Sequence, residues 1–236
     1  MRPVRRGSTR WSAETVMLSS PAMPILTIET RWFEDGPLPT SIAEWFSDLG
    51  SIPPSDWETR EDMYLGIPGS KEIGIKARGE IESFDVKCRM AHLGTASFGP
   101  AAVGTVESWA KWSHPAAEEW VQTVVRRFPG SRRVWKSRLK RLYRIAGASD
   151  VEEVRAGSPI ERGAILEIAG LRYAGIEYWS LAMEAFPTDD RLAADVRGAL
   201  GGLLEGVPHE LTAEQSMAYP EWLEASFGHS PPSTSH

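Results

Sequence analysis

The chain of 236 residues is 42% hydrophobic and 25% charged, the balance of an ordinary folded protein with room for one large domain or two small ones. No run of about 18 apolar residues occurs, which argues against a membrane-spanning helix, and a formal net charge of −6 argues against a bulk nucleic-acid or anionic-membrane binder. The single cysteine, Cys88, leaves no internal disulfide and no multi-cysteine zinc site; it suits a reducing compartment, so a cytoplasmic location is expected.

Residues 1–22 carry Arg2, Arg5, Arg6 and Arg10 against one acid, Glu14. They are expected to form a disordered N-terminal extension, with a basic arm and an organelle-targeting segment as alternatives. Over 24–33 the chain alternates: Thr27, Glu29 and Arg31 share one face of a predicted strand. Phe33 falls in line with the polar set, so the strand is expected to end near there. Ile42, Trp45, Phe46 and Leu49 sit at helical spacing, which predicts a helix over 40–49. Residues 57–65 predict a second strand, with Arg60, Asp62 and Tyr64 on one side.

Lys71–Arg89 predicts a hairpin. Lys76 and Arg78 lie two apart on its first strand and so face one way, as do Asp85, Lys87 and Arg89 on its second. A Gly/Ala/Ser-rich loop is expected at 94–104, then a strand over 105–112 with Glu107, Trp109 and Lys111 on one face. Ser113 is the expected N-cap of a helix over 114–128, with Pro115 in its first turn. Residues 133–144 fit a helix or a strand; the period-2 placement of Lys136, Arg138 and Lys140 favours the strand, with Arg141 an exception on the apolar face. A polar loop is expected over 147–162, and strands over 164–171 (with Glu167) and 176–186 (with Glu184). Thr188 is expected to cap a helix over 189–204. A short helix is expected to start at Thr212 and stop before Pro220. His92 and His114 stand alone and are expected in loops or caps.

The polar faces of these strands collect nine cations (Arg31, Lys76, Arg78, Lys87, Arg89, Lys111, Lys136, Arg138 and Lys140) and five acids (Glu29, Asp85, Glu107, Glu167 and Glu184). That face nets +4 in a chain that nets −6. A surface of this kind suits an elongated polyphosphate, because fixed cations neutralise it and supply charge-assisted hydrogen bonds. The competing reading is a solvated sheet face with mutually compensating ion pairs. Strand spacing alone predicts one α+β domain on an antiparallel sheet; alternation does not decide whether that sheet closes.

The order of Glu29-Thr30-Arg31, Asp62-Met63-Tyr64, Gly74-Ile75-Lys76-Ala77-Arg78, Asp85-Val86-Lys87-Cys88-Arg89, Lys136-Ser137-Arg138 and Leu166-Glu167-Ile168 resembles the CYTH superfamily, the triphosphate tunnel metalloenzymes. The resemblance spans roughly 24–205. It implies a CYTH-like domain at 23–205, an eight-stranded antiparallel β-tunnel or barrel with helices packed outside, followed by a C-terminal helix and disordered tail at 206–236. It implies a triphosphate or phosphorylated small molecule as ligand, with Mg²⁺ or Mn²⁺ as cofactor for hydrolysis. Carried over by position, Lys76, Arg78 and Lys87 would be catalytic and Arg31, Arg89, Lys111, Lys136 and Arg138 substrate-binding. Glu29, Glu107, Glu167 and Glu184 would hold the metal. One departure stands out: the family opens with Glu-x-Glu-x-Lys, and here Thr27 takes the place of the first Glu and Arg31 that of the Lys. That favours a phosphate-binding module without efficient catalysis as the alternative.

Overall fold

The computed structural model describes residues 23–78, 83–115, 130–147, 150–186 and 201–227, with isolated positions 119, 123, 127 and 128. Nine strands form one sheet: β1 (Ile25–Asp35), β2 (Glu58–Leu65), β3 (Ile73–Arg78), β4 (Ser83–Ser97), β5 (Val103–Pro115), β6 (Ser131–Gly147), β7 (Asp150–Val154), β8 (Gly163–Tyr173) and β9 (Ile176–Phe186). Their order is β2-β3-β4-β5-β1-β9-β8-β6-β7, and β2 also pairs with β6. That extra pairing, Glu58↔Arg138 through Leu65↔Ser131, closes an antiparallel barrel of eight strands. β7 lies outside the closure, on the far half of β6. Sharp reversals need suitable residues: Ala174 and Gly175, both at positive φ, join β8 to β9 as a two-residue hairpin.

The predicted strands are present, several of them longer than expected. β1 runs on past Phe33, and β4 runs through Ser97 into the expected loop. His92 and His114 therefore lie in β4 and β5, not in loops or caps, and Ser113 lies in β5, not at a helix start. The expected 147–162 loop contains β7. Most of the 114–128 helix, the 189–204 helix before Gly201, residues 1–22 and the C-terminal tail lie outside the described residues.

The barrel is inverted with respect to an apolar core. Ile28, Trp32, Val106, Leu139, Leu166, Ile168, Leu181 and Met183 face outward, where they are buried with Ile42 and Phe46 of α1 (Thr40–Asp48), with Phe98, and with Leu204 and Leu211. Gly104 allows one close contact of this kind: a Cβ there would stand 2.5 Å from Trp32 Cζ2. Arg141 shares this outward side and is 1% exposed. Its guanidinium donates to the Phe46, Ser47 and Ile52 carbonyls at 2.8, 2.6 and 2.6 Å and pairs with Glu153. It thus caps the C-terminal carbonyls of α1, which have no intrahelical donor.

The inward faces are mostly polar, and one end of them is apolar. There Phe33, Val134, Leu171, Tyr173 and Tyr178 pack under Trp222 and Leu223 of α2 (Tyr219–Phe227). Trp222 stacks on Phe33 with ring centroids 4.7 Å apart. α2 is also tied to the β2–β3 turn by Lys71–Glu221 at 3.0 Å and by the Gly69 amide on Glu224 at 3.1 Å. Pro220 was expected to end a helix; it sits instead in the first turn of α2, where its missing N–H costs nothing.

Candidate functional site

Inside the barrel lies a cavity of about 310 Å³. Its described walls carry eight Lys or Arg side chains and five Glu or Asp side chains, a formal excess of three positive charges. The cause is the strand period: Glu29 and Arg31 on β1, Lys76 on β3, Asp85 and Lys87 on β4, Glu107 and Lys111 on β5, and Lys136, Arg138 and Lys140 on β6 each sit two apart or in line across the ladder. Glu167 on β8 and Glu184 on β9 complete the ring.

Three ion networks organise the wall. In the first, Glu167 accepts from Arg31 at 3.3 Å and from Arg138 at 2.9 Å, and Arg31 also donates to Ser180 at 3.2 Å. Burial alone would raise the Glu167 carboxyl, but Arg31, Arg138, Lys136 and Lys140 together hold it down at about 2. In the second, Lys87 pairs closely with Glu29 and lies 3.9 Å from Glu184. Burial would lower Lys87, and the two carboxylates outweigh it and raise it. For Glu29 the balance goes the other way: burial, with Glu184 alongside, raises it despite Lys87.

The third network centres on Lys136, which is 3% exposed. Its ammonium donates to the Tyr64 hydroxyl at 2.8 Å, pairs with Asp62 at 3.2 Å and lies 3.8 Å from the centre of the Tyr219 ring. Burial pushes Lys136 down to about 7 against the pull of Asp62 and Glu167. Tyr219 stacks on Tyr64 at 5.1 Å and also carries the Arg31 guanidinium over its face at 4.9 Å. One aromatic residue of α2 therefore meets two cavity cations.

Of the residues predicted as site residues, Lys76, Lys87, Arg31, Lys111, Lys136, Arg138, Glu29, Glu107, Glu167 and Glu184 all line this cavity. Arg89 does not line it; it sits beside it, paired with Glu107 at 2.7 Å. Glu107 also receives the Trp109 indole at 3.1 Å and lies 3.4 Å from His92. Arg78 lies on β3, and its side chain is outside the described ones. Arg60, Asp62, Tyr64 and Tyr219 escaped the charge count. The first three carried the same signal as the rest, period-2 alternation on β2; Tyr219 carried none, since it arrives from a helix outside the barrel.

Glu107, Glu29 and Glu184 occupy matched register positions on the neighbouring strands β5, β1 and β9. Among the described residues no group of three or more His, Cys, Asp or Glu side chains converges as a metal cage.

No family model matches the chain, and no curated protein matches it. Among solved structures, a conserved hypothetical protein from Pyrococcus furiosus is 14% identical, with 82% of this chain and 98% of that chain covered and a TM-score of 0.38. No helix among the described residues is long and apolar enough to cross a membrane.

Proposed function

We propose that the barrel binds a triphosphate or another multiply phosphorylated small molecule along its interior, in the manner of the CYTH superfamily that the strand motifs resemble. The observation that carries this reading is the convergence of eight Lys and Arg side chains on one cavity inside a closed barrel. A merely solvated sheet face has no reason to turn its charges away from bulk water. Enclosure strengthens each contact by excluding water, and the Arg forks match phosphate oxygens two at a time. Lys76, Lys87 and Lys111 act as point charges, while Arg31 and Arg138 orient the chain of phosphates.

Hydrolysis is the second reading, and the row Glu107–Glu29–Glu184 favours it. Glu29 and Glu184, which share Lys87, are the carboxylates that would hold a divalent ion. Bound there, Mg²⁺ or Mn²⁺ supplies neutralisation of phosphate-oxygen charge. Lys87 and Arg31 then hold the anion in place and offset charge that develops on it. Binding without efficient turnover remains the lead reading, because Thr27 replaces the first acid of the family motif and its hydroxyl donates to Glu29 instead.

The test is thermal stabilisation by inorganic tripolyphosphate, followed by phosphate release with Mg²⁺ or Mn²⁺, with Lys76→Ala as control. Stabilisation of the wild type that is weakened in the variant is expected, since a ligand stabilises the state it binds. Stabilisation without release selects binding alone. Absence of both in the wild type overturns the proposal.

A further inference from the structure

Glu58 is the first residue of β2 and lies at the end of the barrel away from α2, six residues or ~20 Å along the strand from Tyr64. Its carboxylate is gripped from three sides. Arg60 Nη1 donates at 2.6 Å, Arg138 Nε and Nη2 donate at 3.1 and 2.7 Å, and Lys140 Nζ at 3.3 Å. The pattern of burial is inverted for an ordinary surface pair. The Glu58 side chain is 44% exposed, whereas those of Arg60, Arg138 and Lys140 are 10%, 12% and 28% exposed. The cations are rooted in the barrel wall and the anion sits on top of them.

Arg60, Arg138 and Lys140 all line the cavity; Glu58 does not. Arg138 faces both ways, one edge of its fork on Glu58 and the remaining nitrogen on Glu167 inside. Three cations converging on one acceptor, one of them bidentate, is the arrangement that a tetrahedral oxyanion takes. Partial burial favours the neutral form of Glu58, but the Arg138 hydrogen bonds and the charges of Arg138, Lys140 and Arg60 pull its carboxyl down to about 2. It is thus an anion throughout the neutral range. Being nearly half exposed and at a strand terminus that follows the Ile52-Pro53-Pro54-Ser55 loop, it has solvent beside it, and rehydration offsets part of what it loses on leaving the three cations.

We propose that Arg60, Arg138 and Lys140 form an oxyanion subsite at the end of the barrel away from α2, and that Glu58 is its resident occupant, a built-in substitute that a phosphate group of the ligand must displace. This rests on the reading of the cavity as a phosphate-binding site and adds to it a self-occupied outer position. Glu58 lowers the apparent affinity by the fraction of molecules in which it holds the subsite.

The experiment is calorimetric titration of inorganic tripolyphosphate into the wild type, Glu58→Gln and Glu58→Ala at pH 7.5, with folding of each variant verified by its melting curve. Both variants are expected to bind at least about fivefold more tightly than the wild type, as expected when a competing internal anion is removed. Wild-type binding with no gain, or with weaker binding, in both variants overturns the resident-anion proposal and leaves the cavity reading intact. Binding only in the variants supports it in its strongest form. Absence of binding in all three proteins overturns both.

Discussion

The Lys136 ammonium allows a test of the interior electrostatics that needs no ligand. Its proton affinity falls from the ordinary 10.5 to about 7 in the folded state, burial outweighing the pull of Asp62 and Glu167. At ~1.4 kcal/mol for each tenfold change, holding it charged costs the fold about 5 kcal/mol at pH 6. The sign follows from proton counting: between pH 7 and 10.5 the unfolded chain binds more protons at this position, so stability rises with pH across that window. At pH 9 the folded-state lysine is neutral and the remaining cost is about 2 kcal/mol. Lys136→Met has no such group, and Asp62 keeps Arg60 as a partner at 2.9 Å. Relative to the wild type, the variant should therefore be favoured by about 3 kcal/mol more at pH 6 than at pH 9. Urea unfolding of both proteins at the two pH values measures this, since effects of the other titrating groups largely cancel in the difference. A stability difference that is the same at both pH values to within ~0.5 kcal/mol would refute the argument.

Three further outcomes follow from the same wall and its supports. Arg141→Met should cost about 3–5 kcal/mol in equilibrium unfolding, because it strands Glu153 and the α1 carbonyls that the guanidinium satisfies; a loss below ~1 kcal/mol contradicts that role. Glu167 is held at about 2, so its contribution to stability is present above about 4.5 and is lost as pH falls toward 2. Acid unfolding of Glu167→Gln should lack up to about 3 kcal/mol of that pH dependence, and an unchanged acid limb sinks the assignment. Trp222→Ala removes the ring that stacks on Phe33 beneath α2. A loss of about 3–5 kcal/mol is expected, with hydrogen exchange of the α2 amides rising well before the barrel strands open; synchronous exchange would show that α2 is not a separable cover.

Much of this architecture was legible because the chain alternates with one charged and one apolar residue over almost every strand. The ambiguous segment at 133–144 shows why period outranked propensity: Lys136, Arg138 and Lys140 share a face in β6, whereas a helix would put Arg138 on the side opposite Lys136 and Lys140. Arg141 broke the pattern for a reason the local sequence does not contain, since its partners Phe46, Ser47 and Ile52 lie on another element. Phe33 misled in the same way. It stands in the polar register of β1 because the barrel interior turns apolar beneath Trp222, and only the position of α2 makes that sensible. The longer reach of β4 was hidden by small residues, which signal a loop when read alone, and that of β5 by Ser113-His114-Pro115, which reads as a helix start; strands that tilt around a barrel need that length. Closure itself lies in β2–β6 pairing across more than sixty residues of sequence, which no local pattern encodes.

The charged interior and the apolar exterior are two sides of one constraint. Charges enclosed in a barrel rarely stabilise it, since the desolvation of each ion offsets the attraction between partners. The free energy of folding must then come from elsewhere, and here it comes from the outward face, where Trp32, Trp179, Leu166 and Ile168 are covered by α1 and the 201–211 segment. A sequence shaped only for stability would place those side chains inside and leave the lysines in water. Lys136 is the sharpest instance: an ammonium held between two tyrosines and an aspartate at a cost to the fold makes physical sense when an incoming anion restores its charge. That is why the interior reads as a binding surface, and why the energetics of Lys136 and of Glu58, which lie toward opposite ends of the barrel, bear on the proposed anion site by independent routes.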